Sequence, residues 1–126
     1  MKYLGVDWGL RRVGLAVSEG ELADPLTSLE IYSLQDGVRK VADVASREGV
    51  QTVVVGKPEG EIGKAVEKAV SRMIVAGLHV ITADETLSTH AAKRKLIKMG
   101  KGKKARRDDN AMAAAIILQR YLDEKP

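Results

Sequence analysis

The sequence predicts an α/β fold: a mixed five-stranded sheet with helices on both faces. Two features carry that expectation. The first three extended segments lie too close together for a crossover between them, so they pair as antiparallel neighbours. After them, β-branched runs alternate with helical patterns, the order that builds parallel β-α-β units onto the same sheet.

Lys2 to Val6 is an apolar run ending at Asp7, and Val13 to Ser18 follows after a Trp-Gly-Leu-Arg-Arg turn, so the two read as a hairpin. Leu26 to Tyr32 is the third expected strand, after a loop containing Pro25. Val38, Val41, Ala42 and Ala45 recur at helical spacing, and Gly49 stops that helix. Thr52 to Val55 is a short β-branched run suited to a buried strand, closed by Gly56-Lys57-Pro58. A helix is expected over Ile62 to Ala76, then a strand over Leu78 to Ala83 with Asp84-Glu85 at its carboxyl end. Ser88 to Met99 reads as a helix with Ala92, Leu96 and Met99 on one stripe, followed by a basic loop around Gly102. The last helix spans Asp108 to Leu122, and its apolar stretch from Ala111 to Leu118 implies burial on more than one side.

With 126 residues, the expectation is one domain over 1–126. The absence of cysteine excludes disulfide frameworks, thiolate metal sites and cysteine nucleophiles, and is compatible with a reducing cytoplasm. The apolar run after Met1-Lys2 is too short for a secretory segment and nothing approaches a membrane span, so a soluble cytoplasmic protein with no membrane partner is expected. The net charge of +4 hides an asymmetry: Lys93 to Arg107 holds nine Lys or Arg in fifteen residues and no acid, leaving about −5 on the rest. That run is a solvated helix face and loop, or a phosphate-binding edge; its place between two acidic elements favours the second.

Three acids fall at the ends of elements. Asp7 ends the first strand, where a carboxylate requires compensation, and Gly9 and Gly14 allow tight turns and close backbone approach nearby. Glu85 follows a strand at the sheet edge where open α/β sheets place ligands. Asp108 and Asp109 open the last helix. Each has a local explanation as a turn or helix cap. Together they suit a hard cation, Mg²⁺ or Mn²⁺, which accepts carboxylate and phosphate oxygens and retains waters. Two such ions serve in-line phosphodiester hydrolysis, with Lys101, Lys103 and Lys104 of the basic run holding the nucleic-acid backbone. His79 and His90 cannot make a histidine-rich zinc site on their own; His79 reads as structural, and His90 as a surface position or proton relay. Tyr3 and Trp8 read as packing residues rather than base-stacking ones, since four aromatics make no extended platform.

Five segments then form a pattern: Gly5-Val-Asp-Trp-Gly-Leu-Arg-Arg-Val-Gly-Leu-Ala-Val-Ser18, Ala23-Asp-Pro-Leu26, Val53-Val-Val-Gly-Lys-Pro58, Asp84-Glu-Thr-Leu-Ser-Thr89 and Ala113-Ala-Ala-Ile-Ile-Leu-Gln119. In this order they resemble the YqgF/RuvX family of pre-16S rRNA nucleases and Holliday-junction resolvase-like proteins. The resemblance implies an RNase H-like fold whose acidic centre falls on Asp7, Glu85 and the start of the last helix. It also implies phosphate contacts from Arg12 and Lys57, and as partner a structured RNA or branched DNA, bound by a monomer or homodimer. The chain departs from the family at Thr86, where the family usually has arginine. Counting back from Gln119 also sets the family's last aspartate on Asn110, one residue after Asp109. Asp109 is taken as the third metal ligand, with Asp108 second and Asn110 as a neutral carbonyl alternative. Two competing readings remain: a catalytically silent RNA-binding assembly factor, and a phosphotransferase, since Gly5-Val-Asp-Trp-Gly also resembles the first phosphate loop of actin-like and sugar kinases.

Overall fold

A computed structural model describes residues 1–58, 60–84 and 109–125. Its strands are β1 (Tyr3–Trp8), β2 (Arg12–Ser18), β3 (Ala23–Glu30), β4 (Thr52–Lys57) and β5 (His79–Asp84); its helices are α1 (Leu34–Glu48), α2 (Glu61–Val75) and α3 (Asp109–Glu124). They form one five-stranded sheet in the order β3-β2-β1-β4-β5. The hairpin pairs β1 with β2 antiparallel, and β2 with β3 likewise, while β1, β4 and β5 run parallel. The strand expected to end at Asp7 is therefore the central one. The helix expected over Ser88–Met99 and the basic loop lie outside the described residues.

Alternation along β1 divides the core into two layers. Leu4, Val6 and Trp8 face one side with Val13, Leu15, Val53 and Val55, where the apolar stripes of α1 and α2 cover them. Tyr3 faces the other with Ala16, Val54 and the buried face of α3. Helices thus cover both faces, as expected. Burial in α3 runs without a break from Ala114 to Gln119, wider than one sheet-facing stripe, as its apolar run implied. No described helix is long and apolar enough to cross a membrane.

Two glycines let α3 lie close against the sheet. A Cβ on Gly5 would stand 2.7 Å from the Leu118 Cβ and 2.8 Å from the Ala114 carbonyl oxygen. One on Gly14 would stand 1.8 Å from the carbonyl oxygen of Asn110, so the first turn of α3 lies directly on β2. Gln119 fixes the far part of the helix. Its buried amide accepts from the Ala23 N–H at 2.9 Å and donates to the Glu21 carbonyl at 2.9 Å, tying α3 to the β2–β3 connection.

The third strand differs from expectation at both ends. It starts at Ala23, so Pro25 lies inside it rather than in a preceding loop. That is tolerable because β3 is an edge strand, where the missing N–H costs no ladder bond, and the register shifts beside Pro25. It ends at Glu30 because α1 claims the residues that follow: Ser33 is its N-cap and accepts from the Asp36 N–H at 3.0 Å, while Asp36 accepts from the Tyr32 N–H at 3.0 Å. This reciprocal cap outweighs two more residues of edge pairing. At the other end of α1, Gly49 adopts φ 69° as the left-handed stop.

Candidate active site

The carboxyl ends of β1, β4 and β5 and the start of β2 share one edge of the sheet. The parallel register joins Val6 to Val55 and Val55 to Thr82, so Asp7 lies one residue beyond that row. By alternation its side chain is on the α3 face, with Tyr3 and Gly5, and it is half-buried. Its antiparallel partner is Gly14. On the other side the residue after Val55 is Gly56. No side chain from a neighbouring strand therefore flanks the carboxylate at its own level.

The same Gly14 receives the backbone of Asn110, so the start of α3 is delivered beside Asp7. Two of the expected acidic elements converge in this way: the end of β1 and the opening of the last helix. Within that opening, Asp109 is exposed and Asn110 is half-buried. Asn110 is one turn before Ala114, which is fully buried under the sheet, so the inward phase of the helix falls on Asn110. Glu85 and Asp108 lie outside the described residues, as do Lys101, Lys103, Lys104 and His90. Among the described residues, no group of three acidic or histidine side chains could hold a metal ion.

Of the two phosphate contacts implied by resemblance, Arg12 is at this edge, exposed, its guanidinium 3.4 Å from Glu30. Lys57 is at the edge but on the opposite face: it shares parity with Val53 and Val55, and its ammonium is 2.7 Å from Glu67 of α2. That ammonium lowers the Glu67 carboxyl below its ordinary value, first by hydrogen bonding and then by charge. His79 is at the amino end of β5, away from the edge that carries Asp7. Tyr3 and Trp8 are buried, as expected of packing residues.

Sequence reasoning missed the role of Gly56 beside Asp7 and the anchoring by Trp8 of the first turn of α1. A Cβ on Gly37 would stand 2.6 Å from the Trp8 ring, so indole and helix backbone are in direct contact. The signal for the first was Gly56 ending a β-branched run; for the second, a glycine early in a helical stripe.

The model of the RuvX family, described as a Holliday junction resolvase, matches residues 1–124. This chain belongs to the RuvX family. Its relatives include proteins named "Putative pre-16S rRNA nuclease" from Geobacillus kaustophilus and Acetivibrio thermocellus. The first is 37% identical over 138 residues, covering 99% of each chain. The second is 34% identical over 137 residues, covering 99% of this chain and 97% of its own. Among solved structures, Thermus thermophilus RuvC in complex with a Holliday junction substrate superposes with a TM-score of 0.67 at 22% identity, covering 99% of this RuvX-family chain and 96% of its own. The RNase H-like fold expected from the sequence is thereby established.

Proposed function

We propose that this chain is a divalent-metal-dependent endonuclease that hydrolyses phosphodiester bonds of structured nucleic acid. Its proposed physiological substrate is the 5′ end of precursor 16S rRNA, processed in the cytoplasm by a single domain. The observation that carries the reading is the delivery of α3 onto Gly14, the strand partner of Asp7. It gives the half-buried acid a second chain segment that bears Asp109 and Asn110. The names of the relatives support RNA as the substrate class.

The donor set has the right chemical character for Mg²⁺ or Mn²⁺: carboxylate oxygens from Asp7 and Glu85, and a third from Asp109 or Asp108. No thiolate exists in the chain to favour a softer metal. When bound, such ions supply activation of a water and charge stabilisation of the leaving oxygen. Asp7, on a central strand held by partners on both sides, fixes the position of the centre. Arg12 at the same edge and the Lys93–Arg107 run, including Lys101, Lys103 and Lys104, hold phosphates of the strand.

The test is Asp7→Asn, assayed on structured RNAs and four-way DNA junctions with Mg²⁺ or Mn²⁺. The substitution keeps shape and removes charge, so turnover is expected to fall at least about a hundredfold while nucleic-acid binding persists. Undiminished cleavage by the purified variant would overturn the assignment. Binding that leaves every substrate intact, in wild type as in the variant, would make the chain a silent assembly factor.

A further inference from the structure

One aromatic ring lies in solvent at the sheet edge that carries the proposed centre, on the α1 side of the sheet. Of the four aromatic residues, Tyr3 and Trp8 are buried and Tyr121 packs edge-on against Tyr3 at 5.5 Å. Tyr32 is 82% exposed. It is not a frayed surface residue. Its N–H is held by the Asp36 carboxylate in the α1 cap, and the Lys40 ammonium rests 4.8 Å from its ring centroid. Lys40 is itself fixed by the Glu30 carbonyl at 2.8 Å and the Asp36 carboxylate at 3.0 Å. An exposed ring held this way loses little freedom when a planar ligand settles on it.

The platform is tied to the end of β1 by two routes. Ile31, the preceding residue, donates its N–H to the Arg11 carbonyl at 2.8 Å, which sets the β1–β2 turn alongside. Trp8, next in the chain after Asp7, packs against Gly37 in the first turn of α1. The β1–β2 turn carries Leu10, itself 74% exposed, and Arg11, with Arg12 opening β2. Arg11 has no ion-pair partner among the described residues. With Arg39 and Lys40 against Glu30 and Asp36, the patch retains about two net positive charges at neutral pH. A flat ring in a basic surround next to a phosphodiester-cleaving edge matches the chemistry of an unstacked nucleobase flanked by phosphates.

We infer that Tyr32 is a stacking platform for an unpaired base of the bound strand, with Arg11 holding a phosphate beside it and Arg12 one on the α3 side of the same edge. The inference rests on the nuclease reading for its substrate. It makes the protein selective for strands with an unpaired base near the cleaved bond, because a base inside a continuous duplex offers no free face to the ring. Tyr32 acts on binding and register, as a positioning residue.

The experiment uses the full chain, without divalent metal so that nothing is cleaved, and a hairpin carrying 2-aminopurine in a bulge, made as RNA and as DNA. A fully paired hairpin of equal length is the control. Wild type is expected to quench 2-aminopurine and to prefer the bulged hairpin. Tyr32→Ala should lose the quenching and bind the bulged hairpin about 5- to 150-fold more weakly, with little change on the paired control. Tyr32→Phe should restore both readouts, since only the ring is needed. Circular dichroism excludes unfolding of the variants. The inference is overturned if wild type shows neither quenching nor preference, or if Tyr32→Ala retains wild-type affinity, which would leave the ring to a protein partner. Equal losses on bulged and paired hairpins would overturn it too. Stacking by a wild-type protein that hydrolyses nothing once metal is added would remove the nuclease reading and leave the role of Tyr32 standing; cleavage with no dependence on Tyr32 would do the reverse.

Discussion

Gly14→Ala is the smallest change that separates the acidic strand from the helix opposite it. The added Cβ would fall 1.8 Å from the Asn110 carbonyl oxygen, 2.2 Å from its carbon and 2.9 Å from the Ala111 nitrogen. All three are backbone atoms, so no side chain can rotate away. Restoring ordinary contact requires the start of α3 to retreat by at least about 1.2 Å, in an interior packed too densely to absorb it elsewhere. Overpacking of this kind costs about 1–3 kcal/mol, partly offset by about 0.4–1 kcal/mol from the stiffer unfolded chain. The functional effect should be larger than the loss of stability suggests, because about 1 Å of misplacement costs on the order of a hundredfold in rate. Gly5→Ala is the comparison on the same helix: its contacts of 2.7 Å to the Leu118 Cβ and 2.8 Å to the Ala114 carbonyl oxygen also force α3 to shift, but by less, so a smaller loss of stability and of turnover than in Gly14→Ala is expected. Urea unfolding and cleavage of a structured RNA with Mg²⁺ provide the two measurements. If Gly14→Ala unfolded like wild type and cleaved at its rate, or if Gly5→Ala were the more damaging change, the close approach would not be what sets the site.

Gln119→Leu should destabilise the protein by about 1–3 kcal/mol in urea unfolding, because the buried Ala23 N–H loses its acceptor; a change within about 0.5 kcal/mol would contradict that. Asp36 is held down to about 2 from 3.8, first by hydrogen bonding from Lys40, then from the Tyr32 N–H and Arg39. Its folded pKa is depressed, so its stabilisation is complete above about 4 and lost as pH falls through about 2; the Tyr32 amide resonance should titrate near 2, and a midpoint near 4 would refute the contact. Asp109→Asn should lower turnover at least about tenfold if the helix opening supplies a third carboxylate. Full activity there, with loss in Asn110→Ala, would assign the position to the Asn110 amide.

Periodicity made most of the architecture legible. β-branched runs at Val13–Ser18 and Thr52–Val55, and apolar stripes stopped by Gly49 and followed by Leu78, report burial directly, because the pattern and the core have one cause. Competition between neighbours is harder to read. Leu26 to Tyr32 suits a strand as well as Ala23 to Glu30 does, and only the Ser33–Asp36 cap decides that Tyr32 belongs to the approach to α1. Asp7 was legible as a candidate because an acid after an apolar run is chemically anomalous. The placement of α3 was not: Asp109 and Asn110 differ by about 100° of rotation, and the contact that seats the helix opening, with Gly14, is about 96 residues away in the chain.

Lys57 shows how strand parity constrains a site that sequence proximity makes look continuous. Asp7 and Lys57 both end parallel strands at one edge, yet Asp7 has the parity of Gly5 and Lys57 that of Val55, so they belong to opposite layers. The Lys57 ammonium is engaged by Glu67, whose lowered pKa keeps that pair formed at neutral pH. Both side chains are about half exposed, so water screens the pair and a phosphate reaching over the edge can replace Glu67 without leaving a buried charge behind. Arg12 needs no such exchange of face, since it has the parity of Gly14 and already lies on the Asp7 side. A strand bound across the proposed centre therefore meets Arg12 and the β1–β2 turn from the α3 face, and takes up Lys57 only if its backbone bends over the ends of β4 and β5. A flexible or unpaired segment makes that bend at less cost than a stiff duplex, the same preference that the exposed ring of Tyr32 imposes from the other end of the edge.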